Sequence, residues 1–239
     1  MNKELIQKRF GRKLSIYNDH ARIQKQMAEK LVSYINGQKT SILEIGCGTG
    51  LLTKLVSDKL QFEKYIALDI VSECENFIKE INSKIEFING DIENYIQTCG
   101  KYDLIISNAS FQWIENIPEF IQKLLLKLNK DGTLLFTTFG PENFREIYFV
   151  LGKTLPYYSK KELEECLSLH NPLIEEEVRI MAFKTPKDVL KHIQNTGVNA
   201  ISSESWTKKD LNYFENEYNS FCANHPTLTY NPIYIKIEK

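Results

Sequence analysis

The chain has 239 residues, 42% hydrophobic and 26% charged, which suffices for one full hydrophobic core, and its formal net charge of -1 excludes a surface built throughout to hold nucleic acid. Its five cysteines are scattered without a CxxC pair, so neither a disulfide framework nor a zinc site is expected, and a reduced, cytoplasmic setting fits. The N-terminus lacks the apolar core of a signal peptide, and no run approaches the roughly 18 apolar residues of a membrane span, so no export and no membrane partner is expected.

Taken in order, Ile16, Ile23, Met27, Leu31 and Tyr34 recur at helical spacing and predict a helix over 4–36. Then comes SILEIGCGTG (Ser41 to Gly50), an apolar run ending in alternating glycines, which reads as a buried strand turning sharply into a helix over 51–60. Glycine there allows positive φ and lets a ligand lie directly against backbone N–H groups. KYIALD (64–69) is a second strand with an acid at its carboxyl end. A helix over 72–82, a strand over 85–88, the turn Asn89-Gly90-Asp91, a short helix and a strand over 102–107 continue the alternation. After Pro118, a helix carrying Phe120, Leu124, Leu125 and Leu128 stops near Gly132, ahead of a fifth strand over 133–139. Such alternation predicts an α/β fold with a mostly parallel sheet, helices on both faces and a ligand crevice beyond the carboxyl ends of the strands.

Beyond Phe139, helices are predicted over 142–151, 159–168, 186–195 and 207–223, and strands over 175–183 and 227–237 that pair antiparallel at the sheet edge. Residues 186–225 therefore read as a cap or lid. His20, His170, His192 and His225 show no ligand spacing and read as surface residues.

Asp69 lies about 20 residues beyond the glycine turn, the spacing at which a carboxylate reaches ribose hydroxyls. A nicotinamide cofactor fits that spacing too, but its fingerprint is GxGxxG, whereas here Gly46, Gly48 and Gly50 are followed by Leu51, with Glu44 two residues ahead of the first glycine. This ExGxGxG form resembles motif one of the class I S-adenosylmethionine-dependent methyltransferases. The resemblance implies a Rossmann-like seven-stranded sheet, mostly parallel with an antiparallel edge strand, and helical lid insertions. It implies one methyltransferase domain over 1–239, with an N-terminal helical lid (1–36), a cofactor-binding core (37–140) and a substrate side (141–239). S-adenosylmethionine, leaving as S-adenosylhomocysteine, would be held by Glu44, Gly46, Cys47, Gly48, Gly50, Asp69 and Ile70. Asp91 would face the adenine amino group, Ile92 would pack on its ring, Asn108 would face the methionine end, and Tyr17 and Gln24 would close over that end.

Further segments are similar to the malonyl-[acyl-carrier protein] O-methyltransferase family of biotin synthesis. They are Arg9-Phe10; Tyr17, Ala21, Gln24 and Ala28; SNASFQWIENI (107–117); FTTFGPENFREI (136–147); TGVNA (196–200); and LTYNPIYI (228–235). The resemblance implies methyl transfer to the free carboxylate of a malonyl thioester on acyl carrier protein, with the coenzyme A thioester left open. A carboxylate is already ionised at pH 7, so alignment and desolvation matter more than a strong base. Tyr17, Phe111 and Trp113 would line the transfer pocket, where aromatic faces stabilise a sulfonium. Arg145 would hold either the malonyl carboxylate or an acid of the carrier, within a positive surface of Lys160, Lys161, Arg179, Lys184, Lys187 and Lys191. Gly140-Pro141-Glu142-Asn143 stands where some relatives carry a histidine. The alternatives are a methyltransferase for another small carboxylic acid of the trans-aconitate type, a nucleic-acid methyltransferase, which NASF in place of an NPPY-like segment disfavours, and a cofactor-binding protein without activity.

Overall fold

The computed structural model describes residues 3–196 and 206–239. Its centre is a sheet built from β1 (Ser41–Ile45), β2 (Lys64–Asp69), β3 (Glu86–Asn89), β4 (Tyr102–Ser107), β5 (Leu128–Phe139), β6 (Leu173–Glu176) and β9 (Pro232–Glu238). The seven strands lie in the order β3-β2-β1-β4-β5-β9-β6. The first five run parallel, and β9 runs antiparallel between β5 and the edge strand β6. β1, β2 and β4 are buried on both faces because helices cover both sides, which is why these strands read as apolar runs broken only by Glu44, Asp103 and the acid that ends β2. On one face Leu43, Ile45, Ile105 and Leu134 pack with α6 (Ile92–Thr98) and α7 (Ile117–Leu126). On the other, Ile42, Leu104 and Ile106 pack with α3 (Arg22–Ser33), α4 (Leu51–Lys59) and α5 (Cys74–Ile81).

The predicted helix over 4–36 is three helices: α1 (Lys3–Gly11), α2 (Leu14–His20) and α3. Gly11 ends the first, and Ala21, at φ -82° and ψ 39°, redirects the chain between the second and third. α1 buries none of its residues, whereas α3 buries Ile23, Gln24, Met27, Ala28, Leu31 and Val32. The fifth strand begins at Leu128, five residues earlier than predicted, with Asp131 at φ +61° and a register shift against β4 absorbing the irregularity.

Each of the two predicted C-terminal strands is in fact a pair. The segment over 175–183 divides into β6 and β7 (Arg179–Ala182), and that over 227–237 into β8 (Thr227–Tyr230) and β9. β6 and β9 belong to the main sheet, while β7 and β8 form a separate antiparallel ribbon. The switch points are held by polar side chains. Glu177 accepts from Lys30 at 2.7 Å and from Arg179, and Asn231 donates to Glu176 at 3.0 Å and to the Glu177 carbonyl at 2.9 Å.

The FGPENF and TYNP segments meet at Asn231. Its Oδ1 accepts the Glu142 N–H at 3.1 Å, and its own N–H donates to Asn143 Oδ1 at 3.3 Å. A Cβ on Gly140 would lie 2.3 Å from Asn231 Oδ1, so the backbone approach at this position requires glycine. The predicted helix over 142–151 begins only at Arg145 (α8, Arg145–Leu151), because Phe144 takes a left-handed conformation at φ +59°. Capping boxes at Ser159, Thr185 and Thr207 start α9 (Lys160–Leu167), α10 (Pro186–Asn195) and α11 (Lys208–Phe221). α10 and α11 share a third core with α3, α8 and the ribbon, in which Ile23, Ile147, Val189, Phe214, Leu228 and Tyr230 meet. Residues 197–200 of the TGVNA segment, and 201–205 of the expected lid, lie outside the described residues.

Candidate active site

At the carboxyl ends of β1 to β5 a cavity of about 1310 Å³, its open mouth included, runs from the glycine turn to the loop after β4. Its floor is the turn Gly46, Cys47, Gly48 and Thr49. The N–H groups of Gly46 and Cys47 donate to the Leu68 carbonyl at 2.8 and 3.1 Å, stitching the turn to the end of β2. Gly46 and Gly48 have φ of +69° and +53°, and a Cβ on Gly48 would come within 3.2 Å of the Phe10 ring. The turn is therefore a close-approach surface in which side chains do not fit.

Asp69, Ile70, Asp91, Ile92 and Asn108 all line the cavity. Asp69 is buried, and its carboxylate accepts the N–H groups of Gly48 at 2.8 Å and Val71 at 2.9 Å. Burial raises its pKa while these bonds oppose the rise. Two carboxylate oxygens offer about four lone-pair sites, so acceptor capacity remains for a ligand. Asp91 caps α6 through the Glu93 N–H at 3.0 Å and also accepts Lys3 Nζ at 2.6 Å. Asn108 is fixed on both sides, with Nδ2 donating to the Gln24 carbonyl and Oδ1 accepting the Thr137 hydroxyl, each at 2.9 Å.

The N-terminal helices form the roof. Lys3, Ile6, Phe10, Tyr17 and Gln24 line it, with Lys3 paired to Asp91 and Glu93 and Gln7 donating to the Ile70 carbonyl at 2.9 Å. Phe10 and Tyr17 meet edge-to-face at 5.1 Å. Burial, and then the Asp69 charge, hold the Tyr17 hydroxyl well above the ordinary tyrosine pKa, so it is a neutral donor. Trp113 and Gln112 line the wall after β4, Phe111 is buried there with its ring stacked on Phe136 at 4.1 Å, and Thr196 closes the far side from the end of α10.

Three expected site residues lie elsewhere. Glu44 points to the Ile42 face of β1, where Tyr65 donates to it at 2.5 Å beneath the turn, and burial drives its pKa up to about 7. Gly50 starts α4 at φ +79°, with its missing Cβ facing Ile81 rather than the cavity. Arg145 is half-exposed on α8 and paired to Glu142 at 3.1 Å, outside the cavity lining. Of the other expected cations, Lys160, Lys161, Arg179 and Lys187 are paired to Glu164, Glu165, Glu177 and Glu215. His192, expected at the surface, is buried with Nε2 2.7 Å from the Tyr230 hydroxyl, and burial lowers its pKa to about 4.

The lining fits an adenosyl amino-acid ligand. It combines a side-chain-free cradle at Gly48, two carboxylates at successive strand ends and the buried Gln24, whose Oε1 has no hydrogen-bond partner in the protein. Among the described residues, no cluster of His, Cys, Asp and Glu could hold a metal ion, and no helix is long and apolar enough to cross a membrane.

Comparison with known proteins agrees with this geometry. Residues 18–173 match the family described as "Methyltransferase domain". The chain is 34% identical to the malonyl-[acyl-carrier protein] O-methyltransferase of Bacteroides thetaiotaomicron, over 100% of this chain and 99% of that one. It is 36% identical to the protein of the same name from Calditerrivibrio nitroreducens, over 96% and 94% of the two chains. Among solved structures, the plantazolicin methyltransferase BpumL in complex with SAH superposes with a TM-score of 0.55 at 20% identity, covering 96% and 93% of the two chains. YcgJ from Bacillus subtilis superposes with a TM-score of 0.58 at 11% identity, over 90% and 98%. At these identities the structural likenesses speak for the fold.

Proposed function

The chain belongs to the malonyl-[acyl-carrier protein] O-methyltransferase family, and from that premise we propose that it esterifies the free carboxylate of a malonyl thioester carried on acyl carrier protein. The observation that carries the reading is the full-length likeness to enzymes of that name, joined to a cavity whose lining suits an adenosyl amino acid. S-adenosylmethionine, when bound, supplies an electrophilic methyl on a sulfonium. The glycine turn offers it backbone surface, Asp69 the ribose acceptor, Asp91 and Ile92 the adenine contacts, and Asn108 and Gln24 the methionine end.

The protein's own part is positional. Among the described residues lining the cavity Lys3 is the only cation, and it is already paired with two acids, so the acceptor carboxylate meets neutral donors there. Tyr17 is the best placed of these, since its proton stays on the hydroxyl and its ring faces Phe10 under the roof. Phe10, Tyr17 and Trp113 exclude water, which desolvates the carboxylate and aligns its oxygen for in-line attack. The N-terminal helices act as a lid over this reaction, joined on the far side by Thr196 at the end of α10. The test is transfer of labelled methyl from S-adenosylmethionine to malonyl-carrier protein, malonyl-coenzyme A and free dicarboxylic acids. Preference for the carrier supports the reading, and preference for a free acid returns the chain to the small-acid alternative.

A further inference from the structure

The elbow between α1 and α2 is the densest run of positive charge in the chain. Lys8, Arg9, Arg12 and Lys13 fall within six residues, and no acid stands between Glu4 and Asp19. Residues 1–30 hold eight Lys or Arg against three Asp or Glu, a net +5, while the remaining 22 cations and 28 acids leave the rest of the chain at -6. Lys8 and Arg12 are exposed and make no ion pair with a described residue, whereas the α9 cations Lys160 and Lys161 are each paired one turn away.

The run sits on the rim of the cavity. Phe10, in its middle, turns inward, with its ring against Tyr17 and over Gly48. Lys3, Ile6 and Phe10 share the cavity-facing side of α1, so Lys8, two residues before Phe10, projects from the opposite side. Lys13 donates to Asn195 at 3.3 Å, and Asn195 Nδ2 lies 3.0 Å from His20 Nε2, beside the Thr196 that closes the cavity. Lys191, exposed one turn earlier on α10, carries the positive surface across this seam.

We propose that this elbow is the docking surface for the acidic face of the acyl carrier protein, seating the carrier on the outer side of the roof at its seam with α10. The proposal rests on the reading of the chain as a methyltransferase for a carrier-bound malonyl group. Acyl carrier proteins are acidic, and a chain of net charge -1 draws such a partner through a local field of opposite sign. That field lies over the cavity, and not on α8 or α9, where Arg145, Lys160 and Lys161 are paired with acids. A carrier held there delivers its thioester arm beside Tyr17. Because α1 buries none of its residues, a partner on its outer face also holds the roof in place while the arm is inside.

Fluorescence anisotropy of labelled malonyl-carrier protein, titrated with the full chain in the presence of S-adenosylhomocysteine, tests this. Lys8→Glu/Arg12→Glu should weaken carrier binding at least about tenfold and flatten its salt dependence, with S-adenosylhomocysteine affinity by calorimetry unchanged. Lys8→Gln/Arg12→Gln should act in the same direction by about threefold, and serves where the reversed pair disturbs α1. Lys160→Glu/Lys161→Glu changes net charge equally and should leave carrier affinity within about twofold. Unchanged carrier binding in the elbow variants, equal weakening in the α9 variant, or tighter binding of a DNA or RNA duplex than of the carrier would overturn the proposal. If the unaltered protein binds S-adenosylhomocysteine but no carrier, the carrier reading itself fails; if it binds the carrier and the elbow variants bind it equally, only the docking surface does.

Discussion

The Asp69 carboxylate accepts the backbone N–H of Gly48 at 2.8 Å, so the acid at the end of β2 braces the glycine turn it shares a cavity with. Its second oxygen accepts the Val71 N–H at 2.9 Å. A residue whose sequence position suggests ligand contact alone is thus also a structural tie. Asp69→Ala should destabilise the fold by about 2 to 4 kcal/mol, because two charge-assisted hydrogen bonds are lost in a buried setting. It should also weaken S-adenosylhomocysteine binding by more than about tenfold, from loss of the ribose acceptor. Urea unfolding and calorimetry on the same preparation separate the two effects, and unchanged binding in a folded variant would remove Asp69 from the ligand site.

The roof divides into a removable part and a structural part. α1 contributes Lys3, Ile6 and Phe10 to the cavity yet buries nothing, while α3 places Ile23, Met27 and Leu31 in the core. Deleting residues 1–13 should leave the melting transition cooperative and lower S-adenosylhomocysteine affinity at least about tenfold, through lost apolar cover worth roughly 25 cal/mol per Å². Deleting residues 1–30 should unfold the protein, since each buried aliphatic side chain removed costs about 1.5 to 3 kcal/mol. Circular-dichroism melting of the two truncations decides between a purely covering segment and this division.

Arg145 provides a contrary test of the substrate side. Half-exposed and paired to Glu142, it belongs to a class of surface ion pair worth about 0 to 1 kcal/mol. Arg145→Ala should therefore leave kcat/KM within about twofold for malonyl-carrier protein and malonyl-coenzyme A alike. A loss on both would bring the guanidinium to the malonyl carboxylate, and a loss confined to the carrier substrate would make it a docking residue.

Two buried groups pull the pH dependence of stability in opposite directions. Burial raises Glu44 from 4.5 to about 7, so the stability associated with its protonated form is full below pH 4.5 and lost as pH rises through 7. Burial lowers His192 from 6.5 to about 4, so the stability associated with its neutral form is present above pH 6.5 and lost as pH falls through 4. Each contributes up to about 3 kcal/mol at roughly 1.4 kcal/mol per pH unit, and the two largely offset between pH 4.5 and 6.5. Glu44→Gln removes one arm. Its stability relative to the unaltered protein should rise steadily between pH 4.5 and 7 in denaturant titrations, and a pH-independent difference would mean that Glu44 is not protonated in the fold.

Much of the central sheet was legible because buried parallel strands are short, apolar and punctuated. Lys64–Asp69 and Tyr102–Ser107 have the observed boundaries for that reason. The breaks were harder to read. Ala21 carries no breaker chemistry, and the steps from β6 to β7 and from β8 to β9 depend on partners far away in sequence, such as Lys30 reaching Glu177. Within the site, strand-end residues such as Asp69 and Asn108 follow from topology. Glu44 could have been assigned to the far face by strand alternation with Ile42. Arg145 could not, because a left-handed Phe144 decides where α8 starts and which way its first side chain points. Gln112 sits inside a recognisable segment, but an orphaned amide oxygen leaves no periodic trace. His192 shows the same limit, since its burial depends on Tyr230 from a strand 38 residues away as well as on the nearby Phe183 ring.

Esterification of the malonyl carboxylate is the central claim, and mass spectrometry of malonyl-carrier protein after incubation with this protein and S-adenosylmethionine tests it most directly. The expected result is a gain of one methyl group on the carrier-bound acyl chain, removed by mild base together with the thioester, and absent when the carrier bears acetyl in place of malonyl. A malonyl-carrier protein that keeps its mass, in the presence of folded protein that binds S-adenosylhomocysteine, would contradict the claim.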